Sequence, residues 1–138
     1  MSNLLNKSEI VKDAAKLLHN QNYYPAVAHG AYYCCYQLLK HIWLYDMKRT
    51  QQELDTQCSL CHLGAHEFLI NEIGNHIKHS AQKSAISDFR DFNNKILQLK
   101  KLRLDADYSD ALFDSTKSSK SLSLSNDVVS ILIKYIKS

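Results

Sequence analysis

The chain has 138 residues, 45% of them hydrophobic and 22% charged, with three glycines and one proline. That is the length of one ordinary domain, residues 1–138, and the usage of a globular chain, which argues against intrinsic disorder. A β-sandwich or barrel needs a turn about every 8–12 residues, built largely on Gly, Pro, Asn and Asp; so few glycines and prolines point to long helices instead. The net charge of +3 is too small to imply nucleic-acid binding by itself. Its placement is uneven: residues 1–69 carry six basic and six acidic side chains, residues 70–138 eleven and eight. No run approaches about 18 apolar residues, so no membrane span is expected. The opening MSNLLNKSEI lacks a charged segment followed by an apolar run, so a cytoplasmic protein with four reduced cysteines is expected.

In chain order, Ser8 and Glu9 read as the start of a first helix, with Ile10, Val11, Ala14, Leu17 and Leu18 at helical spacing, fading at Asn20-Gln21-Asn22. Pro25 is placed to open a second helix running to about Tyr45, with a stripe of Ala28, Tyr32, Cys35, Leu39 and Ile42. A polar connector, Asp46 to Glu53, leads to a third, whose stripe is Leu54, Cys58, Cys61, Ala65, Phe68 and Ile73, broken by Gly74-Asn75 and the polar run to Ser84. Ser87 reads as the cap of a fourth, with Phe89, Phe92, Ile96 and Leu99 followed in register by Arg103 and Ala106. The Ser-, Asp- and Lys-rich stretch 107–123 reads as a loop, and Ser125 as the cap of a short last helix with Val128, Ile131, Leu132, Tyr135 and Ile136. The expected fold is all-α, an up-and-down bundle of about five helices. Gly30 and Gly64, inside helical stretches, read as close helix crossings.

Cys58, Cys61, His62 and His66 form C-x2-C-H-x3-H, residue types that suit zinc. On one helix, however, all four project within three turns and cannot converge on one ion, and Cys58 and Cys61 fall on the apolar stripe, where a thiol acts as a small hydrophobe. No metal or other cofactor is therefore expected, although a metal-binding regulator built on this cluster is a further alternative. His76 and His79 read as solvated loop residues. The run Tyr23, Tyr24, Tyr32, Tyr33, Tyr36 could stack bases, or pack the core with hydroxyls at its edge. Arg103 stands where its stripe calls for an apolar side chain. A guanidinium aimed at a core requires a partner, and Asp107, at i+4, can accept a bidentate pair. Either the pair anchors the helix end, or the arginine is presented to phosphate in a helix–helix groove. No glycine-rich phosphate loop, nucleophile elbow or H-E-x-x-H occurs; His62-x3-His66 has Leu63 where the glutamate would stand.

Three segments carry a family resemblance. The run Ala26-Val27-Ala28-His29-Gly30-Ala31-Tyr32-Tyr33, after Asn20-Gln21-Asn22-Tyr23-Tyr24, resembles the second helix of HEPN domains. Arg103-Leu104-Asp105-Ala106-Asp107-Tyr108 is similar to the R-x-x-A-D-Y signature of their uncharacterised branch, and Ala65-His66 to the histidine segment between the two. The resemblance covers roughly residues 8–137. It implies a helical bundle with one extra short helix, dimerised through its long helices, in a prokaryotic cytoplasm. It also implies a minimal nucleotidyltransferase as partner, often in a toxin–antitoxin pair. Active members are metal-independent ribonucleases with an R-x4-6-H motif, the Arg and His of two protomers meeting in the dimer cleft. This chain departs from that motif: residues 108–110 are Tyr108, Ser109 and Asp110, and neither Arg49 nor Arg90 has a histidine downstream at that spacing. A phenol, with an ordinary pKa of about 10, is a poor base near neutrality.

The expectation is thus a non-catalytic helical module, a homodimer, that binds a protein partner or a nucleotide or RNA phosphate near Arg103. Arg103, Asp107, Tyr108 and His66 are the ligand candidates; Tyr32, Tyr33, Tyr36 and Gly30 are the candidates for dimer or core packing. The alternative is a divergent ribonuclease toxin in which Tyr108 or His66 moves protons.

Overall fold

The computed structural model describes residues 3–136, which form six helices and, among these residues, no strand. They are α1 (Asn3–Asn20), α2 (Tyr24–His41), α3 (Gln51–Cys61), α4 (Ala65–Lys78), α5 (Ala85–Tyr108) and α6 (Ser115–Ile133); α2 runs on into a π-helical turn, Ile42–Asp46. None of them is long and apolar enough to cross a membrane.

The α1–α2 hairpin turns on three residues, with Asn22 in the left-handed region at φ 67°, a conformation that asparagine tolerates better than most side chains. α2 packs against α1, α5, α6 and α4, and α5 and α1 both also touch α6. Paired residues give the directions. Ser8 meets Cys34 while Ala15 meets Gly30, so α1 and α2 are antiparallel. His29 meets Asp107 at the end of α5. Asp88, at the start of α5, meets Lys134 and Tyr135 just past the end of α6. The order α1, α2, α5, α6 is an up-and-down bundle, with α3 and α4 inserted between its second and third helices.

The core joins Tyr32, Leu39 and Ile42 to Leu69, Ile73 and Ile77 of α4, Phe92, Ile96 and Leu99 of α5, and Val128 and Leu132 of α6. Each is fully buried, and burial of such a side chain contributes roughly 1.5–3 kcal/mol. α1 is different. Of its stripe, Val11 and Leu18 are half-buried, but Ile10 and Leu17 are 58% and 63% exposed.

Several boundaries differ from the sequence expectation, each for a local reason. The third helix is two: it stops at Cys61, and His62 takes a left-handed conformation at φ 59°. Gly64 is not at a crossing; it precedes α4 with open space around it. Gly74 does not break a helix but lies inside α4, where a Cβ would come within 3.3 Å of the Phe89 ring. Gly30 lies inside α2, and a Cβ there would meet that of Ala15 at 3.1 Å. His76 is in the last turn of α4, not in a loop, and His79 ends that helix. The connector Asp46 to Glu53 holds a capping box: Thr50 Oγ1 accepts from the Glu53 amide at 3.0 Å while Glu53 Oε1 accepts from the Thr50 amide at 3.2 Å.

Three serines read as caps are not caps. Ser8 is buried in α1 and donates to Cys34 O at 2.7 Å. Ser87 lies inside the first turn of α5, which begins at Ala85. Ser125 is buried midway along α6 and donates to Ala31 O at 2.8 Å. The stretch 107–123 is mostly helix as well. α6 begins at Ser115, capped by Asp114, whose Oδ1 accepts from the Lys117 amide at 3.0 Å.

Asp88, 6% exposed, holds the two ends of the long-helix pair together. Its Oδ2 accepts from Tyr135 at 2.6 Å and Ser84 at 2.8 Å, and its Oδ1 from Lys134 at 3.3 Å. Burial alone would raise its pKa, but these bonds outweigh burial and hold it below the ordinary Asp range. Burial, and then the bond to Asp88, push the Tyr135 phenol up to about 12. A depressed carboxylate stabilises the fold above its unfolded pKa, and that contribution is lost as pH falls through the folded value. Asp88→Asn is expected to lower stability by about 1–3 kcal/mol near neutral pH. The deficit should shrink in acid, where the native carboxylate is itself protonated. Urea unfolding across pH measures this, and coincident curves for the two proteins would contradict it.

Candidate functional site

Three helices bring the notable side chains to one place. Arg103 leaves α5 toward α2, its side chain 14% exposed. The guanidinium carbon lies 5.6 Å from the ring centre of Tyr32 and 5.4 Å from that of Tyr33, within the range of cation–π attraction. Its Nε is 3.2 Å from Asp107 Oδ2. The N–H is not aimed at that oxygen, and Nε makes no directed hydrogen bond. The pair is thus an ion contact and not the bidentate fork that the i,i+4 spacing suggests. Asp107 Oδ2 also lies 3.4 Å from His29 Nδ1, and the His29 ring tilts onto Tyr33 at 4.5 Å.

His66 enters from the first turn of α4. Its ring stacks on Tyr36 at 4.1 Å and on Tyr32 at 5.5 Å, and meets Tyr33 edge-on at 5.7 Å. Its Nδ1 is 2.9 Å from the Tyr32 hydroxyl. Burial lowers the His66 pKa first, and the charges of Arg103 and then Lys100 lower it further. A helix N-terminus acts in the same direction. The imidazole is therefore neutral near neutrality. Tyr32 is fully buried; burial raises its pKa, with Arg103 opposing, so its hydroxyl keeps its proton. Either tautomer of His66 satisfies this bond: Nδ1 accepts from Tyr32 with the proton on Nε2, or donates to it and leaves Nε2 as a base. Tyr36 is raised as well, by burial and then by Tyr33.

Of the ligand candidates, Arg103, Asp107 and His66 thus share a cluster with Tyr32, Tyr33 and Tyr36. Tyr108, at the end of α5, is 76% exposed and adds none of these contacts. Gly30 packs against α1, away from the rings. Of the other tyrosines in the run, Tyr23 is exposed and Tyr24 donates to Asn22 Oδ1 at 2.7 Å. Two members were not singled out from sequence, His29 and Lys100. His29 was legible as the residue one helical turn before Tyr33; Lys100 carried no distinguishing signal.

The cysteine–histidine run does not lie on one helix, as the sequence argument assumed. Cys58 and Cys61 belong to α3, His62 forms the left-handed break, and His66 starts the next helix inside the tyrosine cluster. Among the described residues no group of three or more His, Cys, Asp or Glu side chains is placed to hold a metal ion.

Because His66 has a lowered pKa, its neutral form stabilises the fold fully above the ordinary histidine value of about 6.5. That contribution is lost as pH falls toward the folded value. Arg103→Gln is expected to raise the His66 pKa toward the ordinary range, as followed by NMR of the imidazole protons. An unchanged titration would mean that the two groups are not coupled. In comparisons with known proteins, no family model, curated protein or solved structure matches this chain.

Proposed function

We propose that this chain is a non-catalytic HEPN-like module, a homodimer, that holds the phosphate of a nucleotide or an RNA strand beside Arg103. The observation that carries this reading is the state of that guanidinium. It is largely removed from water, held by two ring faces, and left with an undirected Nε beside a neutral imidazole. A cation in such surroundings attracts an anion more strongly than one in bulk water. Asp107, 25% exposed, already lies against both Arg103 and His29, and a phosphate would compete with it for the guanidinium. A nucleotidyltransferase-type protein partner, a toxin–antitoxin pairing and a prokaryotic cytoplasm belong to the proposal through the R-x-x-A-D-Y resemblance.

Support for the homodimer comes from α1. Its exposed Ile10, with Val11, Ala14 and Leu18, lines a groove of about 490 Å³ between α1 and α2 that also takes in His29 and Asp107. Exposed apolar surface of this kind marks interaction sites.

Ribonuclease chemistry is the second reading, and one observation favours it. The R-x4-6-H motif is absent, yet His66 reaches the same tyrosines as Arg103 from a different helix. With Nδ1 donating to Tyr32, its Nε2 is a base of the kind that 2′-hydroxyl attack requires.

Titration with ADP and with a short single-stranded RNA tests the first reading. Saturable binding is expected, with at least a tenfold loss in Arg103→Gln, or about 1.4 kcal/mol. Absence of saturable binding by either probe ends it. Metal-independent RNA cleavage abolished by both His66→Gln and Arg103→Gln would instead establish the second. Light scattering is expected to return twice the chain mass; 15.9 kDa at micromolar concentration would contradict the dimer.

A further inference from the structure

α3 ends in a thiol pair outside the Arg103 cluster. Cys58 and Cys61 stand on its last turn; Cys58 is half-buried against the core and Cys61 is exposed. Helix geometry puts Cα atoms at this spacing about 5 Å apart, inside the roughly 4.4–6.8 Å that a disulfide spans. The Cys61 sulfur already turns back along the helix, to 3.9 Å from Cys58 O. The Cβ atoms of such a pair, at about 5–6 Å, must close to about 3.8 Å. A helix end resists this least, and here the helix stops at Cys61 with His62 left-handed. The other two cysteines, Cys34 and Cys35, are buried between helices.

We propose that Cys58 and Cys61 form a reversible modification site for low-molecular-weight disulfides, closing to a disulfide within α3 that alters the surroundings of His66. The exposed Cys61 thiolate attacks one sulfur of oxidised glutathione. A Cys61–glutathione bond forms, the glutathione disulfide breaks, and one glutathione leaves as a thiolate that takes up a proton. The Cys58 thiolate then attacks the Cys61 sulfur, and the second glutathione leaves in the same way. Two cysteine thiols are oxidised and one glutathione disulfide is reduced to two thiols. The second step is the slower one. Burial, then the charges of Cys61 and Asp55, raise the Cys58 pKa, and a helix C-terminus does not favour a thiolate.

Coupling to the site runs through Tyr36. Cys58 and Tyr36 both pack at the edge of the core, and the Tyr36 ring stacks on His66 at 4.1 Å. Drawing the Cys58 sulfur toward Cys61 moves it from the core edge where Tyr36 also packs, and water is expected to gain access to the imidazole. This consequence rests on the geometry of the cluster and not on what the cluster binds.

The experiment treats the full chain with oxidised glutathione, maps its cysteines by mass spectrometry and follows the His66 titration by NMR. The expected result is loss of two of the four thiols, a Cys58–Cys61 link reversed by dithiothreitol, and an upward shift of the His66 midpoint. The Cys58→Ser/Cys61→Ser double variant should show no shift under the same oxidant. Thiols that persist at both positions, a glutathione adduct that stays on Cys61, or a disulfide that leaves His66 unmoved would each overturn the proposal. ADP binding by the reduced protein is measured separately, so its failure leaves this outcome intact.

Discussion

The Arg103 guanidinium, with little of its surface left to water, sets the constraint on which the rest of the structure turns. A charge in that position must be compensated locally. Asp107 supplies one part, a turn further along α5, and the faces of Tyr32 and Tyr33 supply another from α2. Those demands tie α5 to α2 at one end of the bundle. They also fix where Tyr32 can place its hydroxyl, and hence where His66 must lie to receive it. α4 is drawn into the cluster by that bond and by the stacking on Tyr36. At the opposite end, Asp88 ties α5 to α6 by similar means, a buried carboxylate satisfied by three donors. The long helix α5 is thus pinned by charge at both ends and by apolar packing between them.

Much of this architecture was legible in the sequence. The scarcity of glycine and proline and the stripes on α2 and α5 gave an all-α bundle, and Arg103 was conspicuous as a cation in an apolar register. His66 was named beside Arg103 through the resemblance; what sequence could not supply was the stacking of its ring on the tyrosines of α2, or the contact of His29 with Asp107, because these side chains come from different helices. The cluster depends on the left-handed residue His62, which separates α3 from α4. A histidine is an uncommon choice there, and the apolar spacing runs through it without a gap. Gly74 gave the opposite false signal. It is a helix residue kept small by the Phe89 ring.

The serines misled for a single physical reason. A hydroxyl that caps a helix and one that bonds a carbonyl from within a helix look alike in sequence. In this protein the second use prevails. Ser121 donates to Lys117 O in its own helix, Ser125 to Ala31 O across to α2, and Ser8 to Cys34 O from α1; Ser118 meets His19 Nδ1 at 2.8 Å. Buried positions at the start of α6 are filled by serines in place of leucines. A hydropathy pattern therefore reads that half of the helix as loop.

The side of α2 that faces α1 and α6 is built from Gly30, Ala31 and Cys34, opposed by Ala15, Ser8 and Ser125. Small groups with directed bonds leave the helices almost no slack for displacement toward one another. On its other side α2 carries Tyr32, Tyr33 and Tyr36. A bulkier residue in the seam therefore does more than strain its neighbours. It translates α2 as a rigid rod and carries three aromatic rings with it. Drift in the seam would detune the cluster without any change to a residue that lines it.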